Sequence, residues 1–189
     1  IEFDADEYAA IIETYTSTGE KEWLEATVTI DGTTYESVGL RLKGNSSLRG
    51  LGGGGRGESV SAESPENLPW LIRFDKFVEG QTHRGFADIV VRSNNSATAL
   101  NEALALALLD AAGLASQASA PAGVSVNGSE PVLRLIVEHP DDDAWQDAAF
   151  DGDGALYKAE STGDWSYRGD DPESYTDVFD QEGGKSVAD

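Results

Sequence analysis

The chain contains no cysteine. That excludes a disulfide framework, thiol catalysis and a zinc–thiolate centre. Its two histidines, His83 and His139, have no neighbouring Cys or second His, which leaves little for metal or acid–base chemistry. No Ser-His-Asp arrangement is recognisable. Basic residues are scarce: 13 Lys and Arg stand against 35 Asp and Glu, a formal net charge of −22. Such a surface repels polyanions over most of its area, which argues against a nucleic-acid partner or an anionic membrane surface. The acidity fits a salt-adapted or an extracellular source. No apolar run approaches a membrane span, and nothing at Ile1 resembles a signal peptide. The start at Ile and the final "GGKSVAD" are expected to be cut ends.

What is present is enough for one folded unit, or part of a larger one: 189 residues, 39% of them hydrophobic. "DADEYAAIIETY" spaces Tyr8, Ile11, Ile12 and Tyr15 as one helical face, with Asp4 as N-cap and Glu7 as its capping-box partner. "EATVTIDGTTYESVGLRLK" predicts strands over 24–30 and 34–43 around an Asp31-Gly32 turn. "LPWLIRFDKF" and "ADIVVRS" continue the sheet. "SNNSATALNEALALALLDAAG" changes the period to a helix with Leu100, Leu104 and Leu108 in one stripe, Ser96 as N-cap and Gly113 at C′. A hairpin turning near Asn127-Gly128 and ending at Pro140, a short helix in "DDDAWQDAAF" and a last strand in "GALYK" follow. There is no βαβ alternation and no internal repeat, so the expected class is α+β, a mainly antiparallel sheet with a long packed helix. The last thirty residues, rich in Asp, Glu, Gly and Ser, are expected as loop or tail.

In "VGLRLKGNSSLRGLGGGGRG", residues 38–57, strand alternation sends Val38, Leu40 and Leu42 to one face and Gly39, Arg41 and Lys43 to the other. Arg49 and Arg56 follow among glycines. Asn45, Ser46 and Ser47 add side-chain donors, and glycines let backbone amides approach a ligand, so anionic phosphate is a natural guest. The spacing matches neither a Walker loop nor G-x-G-x-x-G, and an exposed strand end running into a flexible linker fits the same residues. Glu102 sits in the first turn and a half of the long helix, where the helix dipole favours an acid without any function. It also shares a stripe with Leu106 and Leu109, from which it could turn inward to Lys43 or Arg73. The run Asp141, Asp142, Asp143, Asp147, Asp151 and Asp153 is not an EF-hand: with Asp147 at position 1, Ala149 takes a ligand position and Lys158 stands where Glu is required.

Taken together and in order, "VGLRLKGNSS" (38–47), "RFDKFVEGQTHRGFADIVVRSNN" (73–95), "LNEALALALLDAAGL" (100–114), "VSVNGSEPVLRLIVEHP" (124–140) and "GALYKAE" (154–160) resemble the CotH kinase family, named for spore-coat protein H. The most specific piece is G-x-R-x-K-G-N-S-S. The resemblance implies a remote kinase-like fold, nucleotide-lobe side, over 1–159, with 160–189 an acidic loop or tail leading onward. It implies an atypical secreted or envelope-associated protein kinase that uses ATP and Mg²⁺ or Mn²⁺ to phosphorylate hydroxyls of coat or surface proteins. By kinase logic a strand cation holds the phosphates and a helix Glu orients it. Lys43 and Glu102 are then the candidate catalytic residues. Arg41, Lys43, Asn45, Ser46 and Arg73 are the candidates on the nucleotide, and Glu138 is expected near the segment joining two lobes. The metal ligands and catalytic base of the family are expected beyond "ALYKAE", so the piece ending at Asp189 is expected to keep part of a nucleotide cleft without phosphoryl transfer. Family members also serve as surface or scaffold proteins, which makes a non-catalytic adhesion or coat domain the alternative. A third reading is an acidic extracellular module for calcium or polysaccharide.

Overall fold

The computed structural model describes residues 1–48, 50–51, 60–93, 100–150, 155–160 and 163–184. The Ser96 cap, the glycines at 52–55 and 57, Arg49, Arg56, Asp151 and Asp153 lie outside the described residues. The class is α+β, with antiparallel pairing throughout the described strands. The chain divides into two compact units, Ile1–Glu138 and His139–Asp189.

In the first unit β1 (Glu2–Phe3), β2 (Leu24–Ile30), β3 (Thr33–Leu42), β4 (Trp70–Arg73), β5 (Asp88–Val91), β6 (Ser119–Val124) and β7 (Val132–Glu138) form one sheet in the order β1-β2-β3-β4-β5-β7-β6. Helix α1 (Ala5–Thr18) starts where Asp4 Oδ1 accepts from the amides of Asp6 and Glu7, at 2.8 and 3.0 Å. It stops at Gly19, whose φ of 82° a side chain would resist. The β2–β3 turn uses positive φ at both Asp31 (51°) and Gly32 (80°), the geometry that matches strand twist in a two-residue hairpin. Asn127 and Gly128 adopt the same conformation, yet β6 begins at Ser119, earlier than the expected hairpin, and carries Pro121. Proline is tolerated there because β6 is an edge strand. The two sheet edges are drawn together: the Ile1 ammonium donates to Ser125 O at 2.9 Å, and Asn127 exchanges side-chain hydrogen bonds with the Phe3 backbone. The sheet therefore curls.

Alternation in β3, β4 and β5 divides two cores. Val38, Leu40, Leu42, Trp70, Ile72, Ile89 and Val91 face the α1 side, with Ile11 buried and Tyr8, Ile12 and Tyr15 packed against them. Leu71, Val90, Leu135 and Val137 face the other side, under helix α2 (Leu100–Ala111). Helix α2 packs through a narrow strip. Leu106 and Ala103 meet the sheet, while Leu100, Leu104 and Leu108 are 63%, 72% and 69% exposed. Of the stripe Glu102, Leu106 and Leu109, Leu106 is buried and Glu102 pairs with Arg92 just beyond β5, while Leu109 is 40% exposed.

The second unit holds α3 (Asp143–Phe150), β8 (Ala155–Ala159) and β9 (Phe179–Gly184). Asp142, buried, caps α3 by accepting from the Ala144 amide at 2.9 Å. The stretch expected as loop or tail instead contains a 3₁₀ turn at Pro172–Tyr175 and strand β9, paired with β8. Its composition conceals this because β9 reads "FDQEGG", with no apolar alternation.

In the β4–β5 connection, His83 Nδ1 lies 2.9 Å from the Tyr35 hydroxyl and the ring stacks on Phe74. Desolvation, with Arg84 adding to it and Asp31 opposing, holds the His83 pKa below its ordinary value of 6.5. A lowered histidine favours the neutral form when folded, so its contribution is complete above about pH 6.5 and is lost as pH falls through the folded value. Thermal unfolding of the native chain should lose more stability between pH 7.5 and 5 than unfolding of His83→Gln. Parallel pH profiles for the two proteins would contradict this.

Candidate functional site: a cationic face on β3, β4 and β5

The motif "VGLRLKGNSS" has a structural reason at nearly every position. Gly39 lies opposite Arg73 across β3–β4, and Arg73 opposite Asp88 across β4–β5. A Cβ on Gly39 would stand 2.5 Å from Lys76 Cβ and 2.9 Å from the indole of Trp23, so only glycine lets these side chains lie on the strand. Arg41, one alternation further, stands in the row of Leu71, Val90 and Val137. Lys43 continues the strand, its amide donating to Pro69 O at 3.0 Å. Gly44 then turns the chain with φ 95°, where a Cβ would meet Ser47 Oγ, and Ser46–Leu48 closes a 3₁₀ turn over buried Leu48.

Six of the chain's 13 basic residues, Lys21, Arg41, Lys43, Arg73, Lys76 and Arg92, lie on or beside this face. Arg73 is held by Asp88 in a bidentate pair, Nε to Oδ1 at 2.8 Å and Nη2 to Oδ2 at 2.6 Å, with the Asp88 side chain 1% exposed. Two parallel charge-assisted bonds satisfy the buried carboxylate, which would otherwise be costly. Arg92 reaches Glu102 of α2, with Nε 2.9 Å from Oε1, a charge pair in which the Nε–H does not point at the oxygen. Lys21 Nζ donates to Gly44 O at 2.6 Å and to Asn45 Oδ1 at 2.9 Å.

The structure thus brings Arg41, Lys43 and Arg73 to one side of the sheet and ties Glu102 to that side. The partner of Glu102 is Arg92, where the sequence pointed to Lys43 or Arg73. Arg92 follows Val90 on the α2 face and so meets the first turn of the helix, while Asp88 already occupies Arg73. Asn45 offers its carbonyl oxygen to Lys21, and Ser46 opens the 3₁₀ turn. Glu138 is not on this face: it lies opposite Ile89 in register, and its Oε2 accepts from the Ala118 amide at 2.7 Å. It is the last residue of the first unit. Trp23, Lys76, Asp88 and Arg92 were missed. Only Asp88 left a signal in the sequence, an acid at the head of the apolar run "DIVV".

The family model of CotH kinase protein matches residues 40–188. The chain belongs to the CotH kinase family. No curated protein and no solved structure matches it. The CotH match begins inside β3, at the residue before Arg41, so the strand end and its turn lie within the matched range. A CotH kinase is expected to use ATP with a divalent metal. The cations of β3 and β4 suit phosphate oxygens, but among the described residues no three His, Asp or Glu side chains gather as a cation site.

Three substitutions rank the contacts of this face. Gly39→Ala should destabilise by about 1–3 kcal/mol through overpacking against Lys76 and Trp23. Arg73→Ala should cost about 3 kcal/mol by leaving the Asp88 carboxylate, 1% exposed, buried without its partner. Glu102→Ala, removing a half-exposed pair, should cost less than about 1 kcal/mol. Urea unfolding of the three variants checks the order, and a Glu102→Ala effect as large as that of Arg73→Ala would contradict it.

Proposed function

We propose that this chain carries the nucleotide-binding part of an atypical protein kinase, secreted or envelope-associated, that transfers phosphate from ATP to hydroxyls of coat or surface proteins. The observation that carries the reading is the concentration of cations on β3 and β4 in a chain of net charge −22. Phosphate oxygens are the acceptors that such donors suit, Arg by its planar fork and Lys as a mobile point charge.

In this reading Lys43 binds the phosphates, with Arg41 beside it. Arg73 stiffens the strand pair through Asp88 and lends the field of its exposed edge. Glu102 acts in the manner of the helix carboxylate of kinases, through Arg92 in the arrangement seen here, and anchors the start of α2 to the cationic face. Asn45 and Ser46 shape the turn beside the phosphates. Glu138 belongs to the end of the first unit, away from the cations. The kinase-like architecture of the nucleotide-side lobe is part of the same proposal. ATP supplies the phosphoryl group.

The exposed leucines of α2 favour a second reading, a non-catalytic surface or coat domain of the same fold that uses this helix for protein contact. Calorimetry with ATP and Mg²⁺ or Mn²⁺ separates the two. The native chain should bind, and Lys43→Ala should weaken binding roughly tenfold or more, the worth of a charge-assisted hydrogen bond. Binding that Lys43→Ala leaves unchanged would remove Lys43 from the site, and no binding by the native chain would favour the scaffold.

A further inference from the structure

Trp23 immediately precedes β2, and three cations surround its indole. Arg41 Cζ lies 4.5 Å from the ring centroid, Lys76 Nζ 5.2 Å and Arg73 Cζ 5.7 Å. Like charges at such range repel, and the negative face of the indole offsets part of that repulsion. The three are not equivalent. Arg73 is committed to Asp88 through both carboxylate oxygens, with Asp75 3.9 Å from its Nε. Lys76 arrives from the β4–β5 connection and lays its Cβ and Cγ on the bare backbone of Gly39, where a Cβ would stand 2.5 and 2.6 Å from them. Its stem is packed while the residue as a whole stays exposed, so the ammonium is presented at the surface.

Two separate features, the indole and the missing Cβ at Gly39, therefore hold Lys76 at the same ring that Arg41 contacts. The rest of the chain is strongly acidic, so this local field runs against the overall charge. The ligand that matches several adjacent ammonium and guanidinium donors is a multivalent oxyanion.

We infer that Trp23, Lys76 and Arg41 form a platform for a polyphosphate-type oxyanion, in which Lys76 donates directly to the ligand and Trp23 is the positioning residue that sets both cations. This rests on the reading of Lys43 as a phosphate ligand and extends that site toward the β4–β5 connection.

The test uses the full 189-residue chain and inorganic tripolyphosphate at moderate ionic strength, which screens the general repulsion, read by calorimetry and by indole fluorescence. Lys76→Gln and Trp23→Leu should each bind roughly threefold to thirtyfold more weakly, and Trp23→Phe, which keeps an aromatic face, should stay within about threefold of the native chain. Lys76 is a surface residue, so its variant keeps the test open even where Trp23→Leu fails to fold. Native-like binding by Lys76→Gln would overturn the platform. Three outcomes separate it from the nucleotide reading. Tripolyphosphate bound through Lys76 with no binding of ATP removes the nucleotide and leaves the platform. ATP bound through Lys43 with Lys76→Gln and Trp23→Leu unaffected removes the platform alone. Binding of neither ligand overturns both.

Discussion

Asp88 is fully buried on a strand that otherwise reads as hydrophobic, and both of its carboxylate oxygens are taken by Arg73 of the neighbouring strand. An ion pair of this kind tolerates little displacement, because moving either strand by one residue would bury an unpaired charge. It therefore fixes the β4–β5 register, and with it which residues share each face. Gly39 stands next in the same row on β3, so the packing of Trp23 and Lys76 onto that strand depends on the same alignment. Arg41 and Lys43 follow on the α2 side, and Val38, Leu40 and Leu42 go to the larger core. One buried pair thus decides where a cationic surface is displayed on an acidic molecule.

Much of this was legible in the sequence because it depends on short periods. The Arg41 and Lys43 face, the Asp31-Gly32 turn, the Asp4 cap and the Gly113 helix stop each follow from two to four neighbouring residues. What was not legible depends on long-range placement. Trp23 lies sixteen positions before Gly39 and Lys76 thirty-seven after it, and nothing local announces that both pack on that glycine. Arg92 is ten residues from Glu102 across a helix start, a distance no strand or helix period covers. Which stripe of α2 faces the sheet was not legible either: the helix is apolar on several sides, so periodicity does not choose among them.

Membership of the CotH kinase family and the physics of the face bear on different questions. The family match covers residues 40–188, while Trp23 and Lys21, which build the face, lie before that range. The strand end and its turn therefore lie within the matched range, and the indole that gathers the cations lies outside it. An exposed cationic group in a molecule of net charge −22 also works against its own surroundings. Salt shortens the range of the repulsion more than it weakens close, partly buried contacts, so moderate ionic strength favours a bound anion over the general field.

The most direct test of a phosphate-binding face is a residue-by-residue map of the native chain titrated with ATP, obtained from backbone amide shifts by NMR. The expected perturbations concentrate in three stretches that converge on one side of the sheet: 39–47, 71–76 and 88–92. Perturbations confined to the α1 side of the sheet, or to His139–Asp189 alone, would contradict the account.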